Sequence, residues 1–133
     1  MTIPDPIGDL VALLKADAGV TAITSRVFSG GLSQAQQASM PEATVVVKPA
    51  GGPGRPKLML IRRTIVDTVI YGNDLKTAWQ LHLAVREALE TLRVPTGSVK
   101  TIEMASDAAL AVDQMTQWPT CYASYHVLAV THL

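Results

Sequence analysis

Three consecutive valines, Val45 to Val47, constrain the fold more than any other feature of the 133-residue chain. β-Branched residues favour strands, and successive side chains of a strand point to opposite faces of its sheet. Valines on both faces therefore require a central place in a sheet or cover on both sides. The strand that they mark spans residues 43–48 and follows Met40-Pro41, where the proline favours extended backbone.

Four further segments have the composition of strands. Residues 58–71 form a β-branched run longer than a typical strand, so we expect a bulge or bend near Arg62-Arg63. Residues 98–105 contain spaced apolar anchors and predict a third strand, and residues 109–115 predict a fourth. Residues 120–132 alternate: the odd positions from Cys121 to Ala129 are expected on one face and the even positions on the other.

Two segments have the periodicity of helices. Residues 5–16 begin with Asp5, a favourable N-cap, and with Pro6, which suits the first helical position. The main helix spans residues 74–93, with Asp74 as its cap and an apolar stripe at helical spacing. Leu81 and Leu83 lie outside this stripe and make the helix apolar on more than one side, which indicates a second contact surface.

The segments between the first helix and the valine strand are short. Residues 20–24 predict one more turn, residues 26–28 a brief extended piece, and residues 29–41 a loop rich in Gly, Ser and Gln. The main elements follow the order α-β-β-α-β-β-β, and strands joined by hairpins give a mostly antiparallel sheet. We therefore predict one α+β domain over residues 1–133, with four to five strands and with the long helix and an N-terminal helix packed on the sheet.

Residues 49–57 contain three prolines and three glycines, a composition that neither a helix nor a paired strand tolerates. We expect a mobile loop between two strands. The densest cluster of charge flanks or occupies this loop and consists of Lys48, Arg55, Lys57, Arg62 and Arg63. Two interpretations stay open: a solvated hairpin tip, or a flexible arm that orders against an acidic partner or a nucleic-acid backbone.

No set of residues has the spacing of a catalytic or metal centre. His82 lies on the apolar stripe of the main helix, where a core or interface role is favoured. His126 and His132 share a strand face but are ~20 Å apart at strand rise, too far to share a metal. Cys121 has no base on its own strand face and is predicted to be a small core residue. We therefore expect no enzyme, no metal and no cofactor.

The composition argues against a nucleic-acid binder, a membrane protein and a secreted protein. Eleven Lys+Arg balance eleven Asp+Glu, whereas a dedicated nucleic-acid binder would have a basic excess. No run approaches the ~18 apolar residues of a membrane span, and the N-terminus lacks the pattern of a signal peptide. The single cysteine favours a reducing compartment. We expect a protein that stays where it is made and has no membrane partner.

Several phrases of the sequence occur in a recognisable order. They are Ile7 to Asp17, Val20 to Ile23, Arg26-Val27-Phe28, Met40-Pro41 before the valine strand, Tyr71-Gly72, Ala78-Trp79, and Trp118-Pro119 before the alternating strand. In this order they resemble the tail terminator (tail completion) proteins of long-tailed bacteriophages, over nearly the whole chain. The resemblance implies a small α+β subunit that forms a ring, usually a hexamer. Such a ring caps the tail tube, stops its growth and docks to the head or neck.

The resemblance also implies the partners: further copies of this chain, the tail tube protein, and a head completion or neck protein. Contact with DNA would occur at most through a channel lumen, and the protein would reside in the tail or neck of the virion after assembly in the host cytoplasm. The basic cluster, with Leu81 and Leu83, supplies the candidate partner contacts. Two alternatives stay open: another ring component of the head–tail junction or the tube itself, and a small regulatory or ligand-binding α+β domain.

Overall fold

The computed structural model describes residues 5–51, 61–90 and 99–130. These residues form four helices and five strands, which confirms the predicted α+β class. In chain order they are α1 (Pro6–Ala16), α2 (Ala18–Thr21), β1 (Val27–Ser29), α3 (Gln34–Gln37), β2 (Thr44–Gly51), β3 (Ile61–Tyr71), α4 (Leu75–Glu90), β4 (Val99–Val112) and β5 (Pro119–Val130).

The five strands form one sheet in the order β1-β2-β3-β5-β4. β1 is parallel to β2, and every other pair of neighbours is antiparallel. Both longer helices lie on one face: α1 contacts β1 and β2, and α4 contacts β3, β4 and β5. The prediction of a mostly antiparallel sheet with a long helix and an N-terminal helix packed on it is therefore confirmed.

The core lies between these helices and the sheet face that they cover. Odd-numbered residues of β5 from Cys121 to Ala129 are buried there, and Tyr125 is its largest fully buried side chain. The even-numbered residues from Tyr122 to Leu128 are exposed or half-buried on the other face, as the alternation predicts. Val45, Val46 and Val47 are all buried, which confirms that the valine strand is covered on both faces.

The N-terminal caps predicted for the two longer helices are present in the structure. The Asp5 carboxylate accepts from the Gly8 N–H at 3.0 Å, and Pro6 occupies the first turn of α1. The Asp74 carboxylate accepts from the Thr77 N–H at 2.7 Å at the start of α4. This backbone hydrogen bond lowers the pKa of Asp74, because it stabilises the charged form.

Gly72 forms the corner between β3 and α4. Its N–H donates to the Pro119 carbonyl at 3.1 Å, which ties the corner to the start of β5. A Cβ at this position would lie 2.5 Å from the Ala78 nitrogen and 2.8 Å from the Asp74 carbonyl oxygen. Both atoms belong to the backbone of the first turn of α4, so only glycine allows the helix to begin this close to the strand.

The two strands predicted at residues 98–105 and 109–115 are wrong as separate elements. They form one strand, β4, which pairs with β5 from Val99 to Val112. The register shifts between Met104 and Ser106 and again between Ser106 and Ala109, so the intervening residues are accommodated as bulges. Bulges add residues to one strand without ending its pairing. The polar residues between Met104 and Ala109 therefore stay within the strand and do not form a turn.

Three smaller predictions also need correction. The bulge expected near Arg62-Arg63 is absent, because β3 pairs with β5 in unbroken register from Ile61 to Tyr71. The irregularity lies instead in β2 between Pro49 and Gly51, where the proline has no N–H to donate. The predicted loop 49–57 therefore begins later than expected, and residues 52–57 lie outside the described residues. The predicted loop 29–41 contains the short helix α3. A capping box between Ser33 and Gln36 stabilises the start of this helix.

Candidate assembly surface

The structure separates the two leucines that the sequence grouped as contacts. Leu81 is fully buried, whereas Leu83 is 44% exposed. α4 packs on the sheet and also on α2, so the buried arc of the helix is wider than a single stripe and includes Leu81. This burial removes Leu81 from the candidate contact residues and leaves Leu83 among them.

Three of the basic residues lie on the described parts of β2 and β3. Lys48 is half-buried on β2, opposite Asp67 of β3. Arg62 and Arg63 lie at the start of β3, where they pair with Ala129 and Leu128 of β5. Arg55 and Lys57 lie outside the described residues.

Three large apolar side chains are exposed along one side of α4. Leu75, Trp79 and Leu83 are spaced four residues apart, so they form one stripe, with exposed fractions of 41%, 37% and 44%. On another side of α4, Ala84 and Ala88 line a groove together with residues of α2. The exposed stripe therefore lies on the side of the helix that faces away from α2, towards β4.

The strand β4, which contacts α4, also carries exposed apolar side chains. Leu110 is the register partner of Cys121, so its side chain lies on the helix-covered face, as does that of Val112 two residues on. These two side chains are 45% and 44% exposed. We call Leu75, Trp79, Leu83, Leu110 and Val112 the apolar flank. Several exposed large apolar residues on neighbouring elements are typical of a protein–protein contact.

The apolar flank borders the longer of the two sheet edges. β4 has 14 residues and lies at the end of the sheet, so its outer backbone groups have no partner strand among the described residues. An unpaired edge of this length is a template for pairing with another chain. The bulges near Ser106 interrupt it but leave regular segments on either side.

The opposite edge, β1, is short and partly closed by its own neighbours. The alternate residues Arg26 and Gly30 bond to β2, so the backbone groups of Val27 and Ser29 point outward. The Val27 N–H donates to the Ser25 carbonyl at 3.2 Å, and the Ser29 carbonyl accepts from the Gly31 N–H at 3.0 Å. β1 therefore offers fewer free backbone groups than β4.

The sheet face opposite α1 and α4, which we call the open face, has a polar centre. The Ser124 hydroxyl donates to Asp67 at 2.6 Å, and Tyr122 is 42% exposed two residues before this serine. At one end of the open face, Val46 and Val69 line the base of a cleft of about 230 Å³, beside Trp118. The open face could therefore accept both polar and aromatic contacts, but it lacks the continuous apolar character of the flank.

His82 lies directly beneath the exposed side of α4. It is fully buried, and its ring centroid is 5.2 Å from that of Trp79. Neither ring nitrogen has a hydrogen-bond partner among the described residues. Burial lowers the pKa of His82, because it penalises the charged imidazolium, and the nearby Arg86 lowers it further. The predicted core role of His82 is confirmed.

Acidification is expected to destabilise the fold through His82. The unfolded chain binds this proton near the ordinary histidine pKa of ~6.5, whereas the folded chain resists it. The free energy of unfolding should therefore fall as the pH drops below ~6.5, by up to ~1.4 kcal/mol for each pH unit.

Urea unfolding at a series of pH values measures this slope. His82→Leu should flatten the decline between about pH 7 and pH 5. Leu81→Ala serves as the control, since it lowers stability but keeps the titrating group. An unchanged slope in His82→Leu would contradict the assignment.

The described residues do not gather a set of side chains suited to bond chemistry. Burial raises the pKa of Cys121 to about 11, so its thiol stays protonated and weakly nucleophilic. Within residues 5–51, 61–90 and 99–130, no group of three His, Cys, Asp or Glu side chains could hold a metal ion. None of the helices in these ranges is both long and apolar enough to span a membrane.

The fold resembles that of a protein of known structure. The sequence matches no protein-family model and no curated protein. A solved chain from the virion of a native gene transfer agent (GTA) particle superimposes with a TM-score of 0.67. The match covers 91% of each chain at 13% sequence identity. At this identity the likeness establishes a shared overall fold.

Proposed function

We propose that the chain is a structural subunit of a phage-like virion, and within that class a tail terminator (tail completion) protein. The observation that carries this proposal is the long outer edge of β4, which has no partner strand within the described part of the chain and is bordered by the apolar flank. A subunit with such an edge is a poor permanent monomer, because the edge invites pairing with other chains. The fold likeness to a chain of a GTA virion supports the class of particle.

The proposed activity is surface complementarity without bond chemistry. A closed ring of identical subunits needs two different surfaces on each copy that fit one another head to tail. The edge of β4 with the apolar flank is one such surface. The ring would cap the tail tube, contact the tube protein on one side, and dock to a head completion or neck protein on the other. The open face, which differs chemically from the flank, is available for these contacts with other proteins.

Native mass spectrometry and sedimentation velocity test the proposal on the purified chain. We expect a discrete closed ring, most simply a hexamer, at micromolar concentration. Added to tube protein that is polymerising in vitro, the ring should stop growth at the end that it binds. A stable monomer that binds a metabolite would instead indicate a small ligand-binding domain.

One further outcome distinguishes neighbouring roles within the virion. A chain that assembles into open-ended tubes by itself would be a tube protein. A chain that forms a discrete ring but leaves tube growth unchanged would be another ring component of the head–tail junction. Electron microscopy of the mixtures separates these outcomes.

A further inference from the structure

The turn that follows β4 fixes the directions of the last backbone groups of this strand. The Asp113 N–H donates to the Trp118 carbonyl at 3.0 Å, so the backbone of Asp113 points towards β5. Successive residues of an antiparallel strand direct these groups to alternate sides. Ala111 therefore also points towards β5, whereas Leu110 and Val112 point away from it. The outward N–H and carbonyl groups of these two residues have no partner strand among the described residues.

The same stretch of β4 has no charge. Residues 108–112 are two alanines, a leucine, an alanine and a valine, with Asp107 before them and Asp113 after them. Natural edge strands commonly carry a charge or a proline, which blocks pairing with another chain. Leu110 and Val112 are exposed on the helix-covered face, and Ala111 is exposed on the open face. The outer edge of β4 is therefore ready to pair at this point.

We infer that the free subunit, before it enters the ring, pairs this stretch of β4 with the same stretch of a second copy, antiparallel and about a twofold axis at Ala111. The inference goes beyond the proposed function, because it concerns the subunit before assembly. Self-pairing needs no second surface, since a twofold axis brings the same edge of both copies together. Leu110 of each copy then exchanges both backbone hydrogen bonds with Val112 of the other. The two Ala111 residues lie opposite each other, with their Cα atoms about 4.5 Å apart.

Charge and local geometry select this register. An axis at Leu110 would place Asp107 of each copy opposite Asp113 of the other, and like charges directly opposite are destabilising. An axis at Ala109 would require pairing through the bulge that precedes this residue. An axis at Ala111 places Asp113 opposite Ala109 and avoids both obstacles.

Pairing at this edge also covers the apolar flank. A twofold axis perpendicular to the joined sheet keeps the helices of both copies on the same face. Leu110 of one copy then lies beside Val112 of the other on that face, and the exposed stripes of the two α4 helices face each other across the join. Removal of these side chains from water supplies the affinity, and the backbone hydrogen bonds fix the orientation.

The pair and the ring cannot use one edge at the same time. Neighbours in a head-to-tail ring oppose two different surfaces, whereas the pair opposes one surface to itself. A hexamer collects more copies than a pair, so dilution favours the pair and high concentration favours the ring. The pair therefore withholds the β4 edge from other proteins until the ring forms.

Ala111→Cys tests the pair by disulfide formation. Ala111 is exposed and lies outside the core, and the native Cys121 is buried. Opposed Cα atoms about 4.5 Å apart are close enough for a disulfide. In mild oxidant, at concentrations below those that assemble the ring, most of this variant should run as a linked dimer on a non-reducing gel.

Ala109→Cys is the matched control. Ala109 is also exposed on the open face, but in this register the two copies of it are separated by about 14 Å along the strands. Such a separation is too large for a disulfide. The control should therefore form about tenfold less linked dimer than Ala111→Cys.

Two further substitutions at Ala109 test the register through charge. Ala109 lies opposite Asp113 of the second copy, so Ala109→Lys brings opposite charges together and Ala109→Asp brings like charges together. Each is combined with Ala111→Cys. The association constant of the pair should be about fivefold or more higher with Ala109→Lys than with Ala109→Asp. Circular dichroism and urea unfolding first establish that each variant folds.

Hydrogen exchange provides an independent measurement on the unchanged protein, in case a cysteine variant does not fold. The amides of Leu110 and Val112 should exchange more slowly as the concentration rises through the range in which pairs form. Exchange at these amides that is independent of concentration would overturn the inference. So would equal linkage of Ala111→Cys and Ala109→Cys, or equal association with the two charged substitutions at Ala109.

The remaining outcomes separate this inference from the proposed function. If the pair is absent but the wild-type chain still assembles a ring at micromolar concentration, the inference fails and the proposed ring stands. A linked pair from a chain that never forms a ring supports the inference and overturns the ring. A chain that stays monomeric and unlinked overturns both, and assigns the edge of β4 to a strand of another protein.

Discussion

Gly72→Ala is expected to lower the free energy of unfolding by about 3 kcal/mol, at the upper end of overpacking effects. The added methyl would lie 2.5 Å from the Ala78 nitrogen and 2.8 Å from the Asp74 carbonyl oxygen. Both are backbone atoms at the start of α4, so no side chain can rotate away to make room. Relief requires α4 to shift relative to β3, which would disturb the Ala78, Leu81 and Val85 contacts in the core.

Urea unfolding monitored by circular dichroism gives this difference, with Gly31→Ala as the control. A Cβ at Gly31 would have no atom within 4 Å. The control should therefore stay within about 0.5 kcal/mol of the wild type. Equal losses in the two variants would show that the corner at Gly72 is not the source of the effect.

Leu81→Ala is expected to cost about 2–5 kcal/mol, whereas Leu83→Ala should cost about 0.5 kcal/mol or less in the isolated subunit. Leu81 is fully buried and Leu83 is 44% exposed, although only two residues separate them on α4. Because both substitutions are Leu→Ala in one helix, differences in helix propensity cancel. The difference between the two losses in the free energy of unfolding therefore reports the effect of burial.

The same pair of variants reports on assembly. Leu83→Ala should weaken the ring while it leaves the urea midpoint of the subunit nearly unchanged. Leu81→Ala should lower the midpoint without a specific effect on the ring formed by the folded fraction. If Leu83→Ala proves as destabilising to the subunit as Leu81→Ala, the apolar flank belongs to the core and not to an interface.

The elements that the sequence predicted well depend on local chemistry. Asp5 and Asp74 cap the helices that follow them, and the three valines of β2 are buried on both faces. The residues between Met104 and Ala109 were misjudged, because their polar composition resembles a turn. Only pairing with β5 keeps them in one strand, and that pairing is not encoded within the segment.

The candidate surface was predictable only in part. Helical periodicity predicted that both Leu81 and Leu83 lie away from the core, and this is right only for Leu83. The periodicity of one helix contains no information about α2, which packs against α4 and widens its buried side. Trp79, four residues before Leu83 on the same helix, is likewise 37% exposed. β4 is an edge strand because β5 lies between β3 and β4 in the sheet. This strand order cannot be predicted from the residues of any single segment.

The unequal edges of the sheet have a consequence for aggregation. A cross-β fibre grows because every chain offers an open strand edge on each side, so that each addition creates a new template. In this chain the outward Val27 N–H and Ser29 carbonyl of β1 are already bonded within the same segment. A second molecule that pairs with β4 therefore meets a shorter and partly bonded template on the far side. The short, partly bonded edge limits amyloid-like stacking of the native subunit, whichever partner finally covers β4.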